Sequence, residues 1–346
     1  MRELDIAIAW SGMPPYAATN VSCLLKDFKG SVAILGTRAD VPHRNLEELA
    51  GADIVWLSQE KVYNWDDLDL GIPKVMIHTG WAYPCFNSLG KKVTQAGGYR
   101  ISMIDTIWYG TFRQYVGLIV FRLVYRKWFA SVIVPGKEGR KFCKLMGMPR
   151  QEIYEGLYGA SPKIFIPGPP LIDRPKRILF VGRLIERKGI MELISAVREF
   201  KKTNTDWEFV LVGKGELEGK VDASGLFTIR EFSTPTEVSE LMQSSRILVL
   251  PSREENWGVV VHEATLSGCG LILSDKVGAR SDLLTEKNGF LVRSSNCDDL
   301  LEALTSLSNW DSRKYDDCFA ASLSLARQFG PKVFSKSILS ILSKYT

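Results

Sequence analysis

The chain reads as an α/β protein built from two doubly wound parallel sheets. Three observations lead there. Short apolar runs recur along the sequence and alternate with helical patterns. A proline-rich stretch, IFIPGPPLIDRP at 164–175, parts two such series as a linker does. The length of 346 residues suits one oversized or two ordinary domains, and 45% hydrophobic with 24% charged side chains suits a globular protein.

The first series predicts strands at 5–10, 31–35, 52–57, 74–78, 99–104 and 131–134. The first ends in Ser11-Gly12-Met13-Pro14-Pro15, a tight loop where a strand hands over to a helix. Asp67-Leu68-Asp69 has the form of a metal-nucleotide DxD. It follows no apolar strand, so it is expected to be a solvated loop or helix start. His78 ends a strand, where a histidine is either structural or faces a cleft. Asp105 also lies past a strand's carboxyl end, beside Trp108 and Tyr109, aromatics suited to stacking on a sugar. It is read either as a helix N-cap or as a site residue.

The net charge of +5 is uneven. Residues 1–168 hold 20 Lys/Arg against 15 Asp/Glu, and the remainder 24 of each. The excess concentrates at 113–150, where nine cations face one acid, Glu138, with Tyr115, Phe121, Tyr125, Trp128 and Phe129 between them. This is either a core helix with basic ends or a peripheral membrane contact. No nucleic-acid motif accompanies the charges, so no nucleic-acid partner is expected. Six scattered cysteines without a CxxC pair point to neither a zinc site nor a disulfide framework, and to a reducing compartment. No signal peptide and no bilayer-spanning apolar run are expected, and there is no internal repeat.

The second series predicts a strand at 177–181 running into Gly182-Arg183-Leu184-Ile185-Glu186-Arg187-Lys188-Gly189, where cations gather at a strand end, as a phosphate would require. A helix at 190–201 follows. Strands are expected at 209–212, ending at Gly213-Lys214-Gly215, and at 227–232, with Arg230 and Glu231 near its end. Residues 247–275 organise the whole chain. An apolar strand at 247–250 stops at Pro251, a loop carries Glu255-Asn256-Trp257-Gly258, and a helix from Val259 to Leu266 leads to a strand at 271–273. Ligands of open α/β sheets sit past the carboxyl ends of strands, and a helix N-terminus favours anions. Glu255 and Glu263, with seven residues between them, are either solvated acids or two carboxylates flanking a phosphate seat. The last segment, KVFSKSILSILSKY, reads as an amphipathic helix.

On FVGRLIERKG, LVGKGE, LPSREENWGVVVHEA and VGARSDLLTEKNGFLV, in that order, the chain resembles the family 4 retaining glycosyltransferases of the GT-B fold. The likeness covers roughly 177–292, and Glu255 and Glu263 fill the E-x7-E motif. The first half fits more loosely, through Trp10-Ser11-Gly12 and through VPGKEGRKFCKLMGMP with IYEGLYGAS. The resemblance implies two Rossmann-like domains facing an interdomain cleft: an acceptor domain at 1–168, a donor domain at 169–330, and a terminal helix at 331–346 that crosses back. It implies that Arg183 and Lys188 hold the donor diphosphate, Glu263 the ribose, and Glu255 the transferred sugar. Asn256, Trp257, Gly258 and Val259 would offer backbone groups. The loop at Gly213, with Arg230 and Glu231, would form the base pocket, and Gly12 would face the donor. Asp105 is the expected catalytic residue of the first domain, acting with Glu255, Lys188 and Arg183. His78 and Trp108 are acceptor-side candidates.

The implied reaction transfers a sugar from a nucleotide-sugar, with UDP or GDP as the nucleotide, to a saccharide or lipid-linked saccharide, as in surface polysaccharide or lipopolysaccharide synthesis. It needs no cofactor and no metal. The implied location is the cytoplasm, at the inner face of the membrane. A sugar-nucleotide epimerase and a non-catalytic binding protein remain as alternatives. The family often has Gly-Gly followed by Glu where this chain has Gly278-Ala279 and Asp282, and a Phe or Tyr where it has Trp257, expected to be a larger wall for the sugar pocket.

Overall fold

A computed structural model describes residues 4–39, 45–231 and 234–345. Two compact units divide the chain. The first holds Met1–Gly159 and Phe329–Thr346, the second Ala160–Gln328.

In the first unit β1 (Ile6–Trp10) leads into α1 (Pro15–Asp27), which starts on a proline at its first turn, where the missing N–H costs nothing. Then come β2 (Val32–Thr37), α2 (Leu46–Ala50), β3 (Val55–Leu57), β4 (Val75–Thr79), α3 (Pro84–Gln95), β5 (Tyr99–Met103), α4 (Phe112–Val120), β6 (Ser131–Val134), α5 (Lys137–Leu145) and β7 (Ile153–Glu155). The strands form one parallel sheet in the order β3-β2-β1-β4-β5-β6-β7. β1 is central, with Ile8 between Ile34 of β2 and Ile77 of β4. Its side chains alternate between two apolar layers. Ile6, Ile8 and Trp10 pack with Val21 and Leu24 of α1, while Ala7 and Ala9 pack with Phe86 and Leu89 of α3.

The second unit runs β8 (Arg177–Val181), α6 (Ile190–Phe200), β9 (Glu208–Val212), α7 (Glu218–Ser224), β10 (Thr228–Arg230), α8 (Pro235–Gln243), β11 (Ile247–Leu250), α9 (Val259–Leu266), β12 (Gly270–Ser274), α10 (Arg280–Leu283), β13 (Gly289–Val292), α11 (Cys297–Ser308) and α12 (Ser312–Ala326). Its parallel sheet has the order β10-β9-β8-β11-β12-β13. Residue 232, the end of the strand expected at 227–232, lies outside the described residues. The short strands β7 and β13 had no counterpart among the expected strands.

The chain then returns to the first unit as α13 (Pro331–Tyr345). Phe334, Ile338, Ile341 and Leu342, on one helical face, are buried in the layer that holds α1. Burying each contributes about 1.5–3 kcal/mol. The Ser335 hydroxyl donates to Asp27 Oδ2 at 2.6 Å, and the Tyr345 hydroxyl to Glu152 Oε2 at 2.8 Å.

The first crossing between units falls at 159/160 rather than 168/169. The residues between are held by the second unit. The Ala160 N–H donates to His262 at 2.9 Å, Ser239 Oγ to the Ile164 carbonyl at 2.7 Å, and the Gly168 N–H to the Ser267 carbonyl at 3.3 Å.

The basic stretch is not a core helix. α4 buries none of its side chains, and the helical run continues through a π-turn at Phe121–Tyr125, where Phe121 alone is buried, and a 3-10 turn at Arg126–Trp128. No helix of the described residues is long and apolar enough to cross a membrane. None of the six cysteines is in a disulfide.

Candidate functional site

The carboxyl ends of β8, β9 and β11 bring most of the expected residues of the second unit together. β8 ends at Gly182, and the loop to α6 places Lys188 against Glu255, the two forming an ion pair with both side chains largely shielded from solvent. Arg183 stands exposed on the same loop. The loop is fastened to the one that follows β11. Arg253 bonds Glu186 at 2.7 Å and Glu192 at 2.8 Å, and its N–H donates to the Arg187 carbonyl at 2.8 Å. Sequence reasoning singled out neither Arg253 nor Glu192. The available signal was an acid set in an apolar run, Glu192 in Ile190-Met191-Glu192-Leu193-Ile194.

Glu255 is pinned by its backbone. Its N–H donates to Lys276 O at 3.2 Å, and its carbonyl accepts from Gly278 at 2.9 Å. A side chain at Gly278 would meet the Asn256 carbonyl at 1.9 Å, so glycine is required there by this close approach. Gly258, at φ +89°, turns the chain into α9, whose first residue is Val259. Gly213 follows directly on β9. Its N–H donates to the Arg230 carbonyl at 3.0 Å, and Glu231 beyond it pairs with Lys214 at 2.8 Å.

Trp257 is not a wall of an open pocket. Its ring is 2% exposed and lies 6.0 Å from that of His262. The indole N–H donates to Asp282 Oδ2 at 3.1 Å. The two departures from the family pattern are therefore partners: a buried indole needs an acceptor, and Asp282 supplies it.

Glu263 lies one helical turn into α9, half-buried, and its carboxyl has no hydrogen-bond partner among the described residues. Burial pushes its pKa up to about 7. An unpartnered carboxyl of this kind is ready to accept hydroxyl groups. His262 before it faces the other way. Its Nδ1 accepts the Ala160 N–H, its Nε2–H donates to the Ala326 carbonyl at 2.9 Å, and burial lowers its pKa to about 4. It is a neutral structural histidine tying both ends of the second unit to α9.

The first unit has its own cavity, of 630 Å³, past the carboxyl ends of β1, β4 and β5. Gly12, Trp81, Asp105, Arg113 and Tyr158 line it. Gly12 takes φ +55° and donates its N–H to Thr37 Oγ1 at 2.9 Å. The Tyr158 hydroxyl donates to Asp105 Oδ2 at 2.9 Å. Burial raises the Tyr158 pKa, so this hydroxyl stays protonated as a donor.

Two candidates are not at this cavity. His78 is fully buried, its Nε2 accepting from Arg100 Nη2 at 3.1 Å, with the Phe86 and Phe129 rings at 6.1 and 5.5 Å. Burial and the Arg100 charge lower its pKa to about 3. β4 is covered on both faces, so either register buries its histidine. Trp108 packs on Tyr115 at 4.9 Å and on Phe142 at 6.2 Å. The acids at 67 and 69 are exposed on a 3-10 turn.

Known proteins resemble the chain in sequence and in fold. The chain is 29% identical over 144 residues to the alpha-D-kanosaminyltransferase of Streptomyces kanamyceticus, covering 40% of this chain and 37% of that one. It is 24% identical over 213 residues to the amylovoran biosynthesis glycosyltransferase AmsK of Erwinia amylovora, covering 58% and 52%. The chain thus matches about half the length of these relatives or less. Its backbone superposes on Anabaena HepE, solved in complex with UDP and glucose, with a TM-score of 0.77 over 99% of this chain and 100% of that one, at 16% identity. Residues 164–318 match the family described as "Glycosyl transferases group 1". Its second unit carries the sequence pattern of the group 1 glycosyl transferases, on a chain of the GT-B fold.

Proposed function

We propose that the chain is a retaining glycosyltransferase of the family 4 type that moves a sugar from a nucleotide-sugar to an acceptor hydroxyl. The observation that carries this is the crest of the second sheet: the Lys188–Glu255 pair, exposed Arg183, and unpartnered Glu263 on the helix that Gly258 opens. A donor diphosphate would displace Lys188 from Glu255 and take the ammonium together with Arg183 and the amino end of α9. Glu255 would then be released to the sugar hydroxyls, and Glu263 would accept from the ribose. Backbone groups of Asn256, Trp257 and Val259 would complete the seat, with Gly213, Arg230 and Glu231 around the base. UDP is the favoured nucleotide, supported by the UDP complex of the Anabaena fold neighbour.

In the transfer, the acceptor oxygen bonds to the anomeric carbon on the face from which the diphosphate leaves. The carbon–oxygen bond to the diphosphate breaks, and the departing phosphate oxygen takes the hydroxyl proton. Arg183, Lys188 and the helix terminus offset the charge that develops on the phosphate, a role for which no metal is needed. Asp105 orients the sugar or the acceptor. The relative AmsK favours cell-surface polysaccharide as the product, on a saccharide or lipid-linked acceptor at the inner face of the membrane.

The test is stereochemical. Proton NMR of the free sugar released by slow donor hydrolysis, read before mutarotation, is expected to show the anomer of the donor. Release of the opposite anomer contradicts retention.

A further inference from the structure

The first unit has a second cavity, of 650 Å³, away from Asp105. It runs along α3 and is closed by Arg100, Lys127 and Trp128, with Lys91 at its side. No acidic side chain lines it among the described residues. Arg100 is 4% exposed and pairs with no carboxylate among the described residues. It donates to His78 Nε2 and to the Asn87 side-chain Oδ1, the latter at 3.0 Å, and lies 5.1 Å from each of the Trp128 and Phe129 rings. Its Nη1 has no hydrogen-bond partner, and neither ammonium, of Lys91 or Lys127, has one among the described residues. A buried cation without a counter-ion is costly. An anion in this groove would relieve that cost.

The same helical run says where the anion comes from. Phe112 is 83% exposed, Ile119 60% and Leu123 75%, with Val116 beside them. Phe112, Val116 and Ile119 recur at steps of four and three along α4, which puts them on one helical ridge; exposed Leu123 follows in the π-turn, and Lys127 of the 3-10 turn after it lines the groove. Such a ridge on an otherwise water-facing helix marks a contact site. No acid occurs between Asp105 and Glu138. Arg122 and Arg126 are committed to the chain itself, the first donating to the Leu145 carbonyl at 2.6 Å and the second to the Phe129 carbonyl at 3.1 Å. Of the groove's lining this leaves Lys91, Lys127 and Arg100 as the cations open to a ligand, while Arg113, exposed at the start of the same run, lines the cavity of Asp105 instead.

We propose that this groove seats the phosphate of an anionic membrane phospholipid while the ridge of Phe112, Val116, Ile119 and Leu123 lies in the interface of the same bilayer. Apolar ridge and anion seat lie along one helical run, the pattern of an interfacial helix on an anionic leaflet. The seat belongs to the first unit and stands whether or not the chain transfers a sugar.

Flotation of the full chain with vesicles tests it, using phosphatidylcholine alone or mixed with phosphatidylglycerol. The chain is expected to bind the mixed vesicles far more tightly. Lys91→Glu with Lys127→Glu is expected to weaken that binding about tenfold or more. Ile119→Glu with Leu123→Glu is expected to abolish it. Lys144→Glu, an equal charge change outside the groove, is expected to do less than Lys127→Glu alone. All the substituted side chains are on the surface, and circular dichroism of each variant checks folding. Equal binding to neutral and mixed vesicles, or an effect of Lys144→Glu equal to that of Lys127→Glu, overturns the headgroup seat. Absence of vesicle binding, with self-association that Leu123→Glu removes, would assign the ridge to a second copy and overturn the proposal.

Discussion

Glu263 sits in α9 with its pKa raised by burial from 4.5 to about 7. The native state therefore binds a proton that the unfolded chain releases between these values. The stability this contributes is fully present below about pH 4.5 and is lost as pH rises through about 7. Glu263→Gln removes the penalty of ionising the buried group. The variant is expected to exceed the native chain in stability above about pH 7 by roughly 1–3 kcal/mol, with the gap closing below about pH 4.5. Urea unfolding across this range reads it; a gap that does not change with pH contradicts the assignment. The same variant is expected to bind nucleotide less well, because an amide accepts at one atom only, where the carboxylate accepts at two. The position of this acid in the sequence was visible, but its lack of a partner was not, since partners come from other elements.

At the scale of elements, the loop from Pro251 to Gly258 holds its shape through what it ties to. Glu255 bridges to Val277, Arg253 grips the loop after β8, and Trp257 turns inward onto Asp282. Asp282→Ala leaves the indole N–H buried without an acceptor and is expected to cost about 1–3 kcal/mol. Asp282→Asn keeps an acceptor and is expected to cost less. Thermal unfolding of the two variants decides; equal losses would mean that the carboxylate charge, rather than the acceptor, holds the ring. The strand–loop–helix order was legible because an apolar run, Pro251 and Gly258 mark it locally. The inward turn of Trp257 was not, because it depends on α10, which follows over twenty residues later. His78 misled for a related reason: its place at a strand end is local, but its burial comes from β1, β5 and the helices covering them. The helix after Thr111 was open to two readings, since apolar residues at helical spacing mark a buried face and an exposed ridge equally well.

At the scale of the whole molecule, the two series of strands were legible in the sequence as two sheets. Parallel strands buried on both faces read as near-continuous apolar runs, and these carry through both halves. The crossing at 159/160 lay hidden behind the proline-rich stretch, because which unit holds the residues between 160 and 168 is decided by His262, Ser239 and Ser267 rather than by composition. The apolar face of α13 was legible as a packing face, but its return to the first unit was implied only by the family resemblance; the first unit's core includes that face. The proposed sugar transfer rests on the crest of the second sheet. Its most direct test is donor hydrolysis followed by NMR across a panel of UDP-, GDP- and dTDP-sugars, comparing the native chain with Lys188→Ala. Slow hydrolysis of one donor, reduced about a hundredfold or more in the variant, is the predicted result. Hydrolysis that survives Lys188→Ala unchanged, or failure of every nucleotide to bind the native chain, would contradict it.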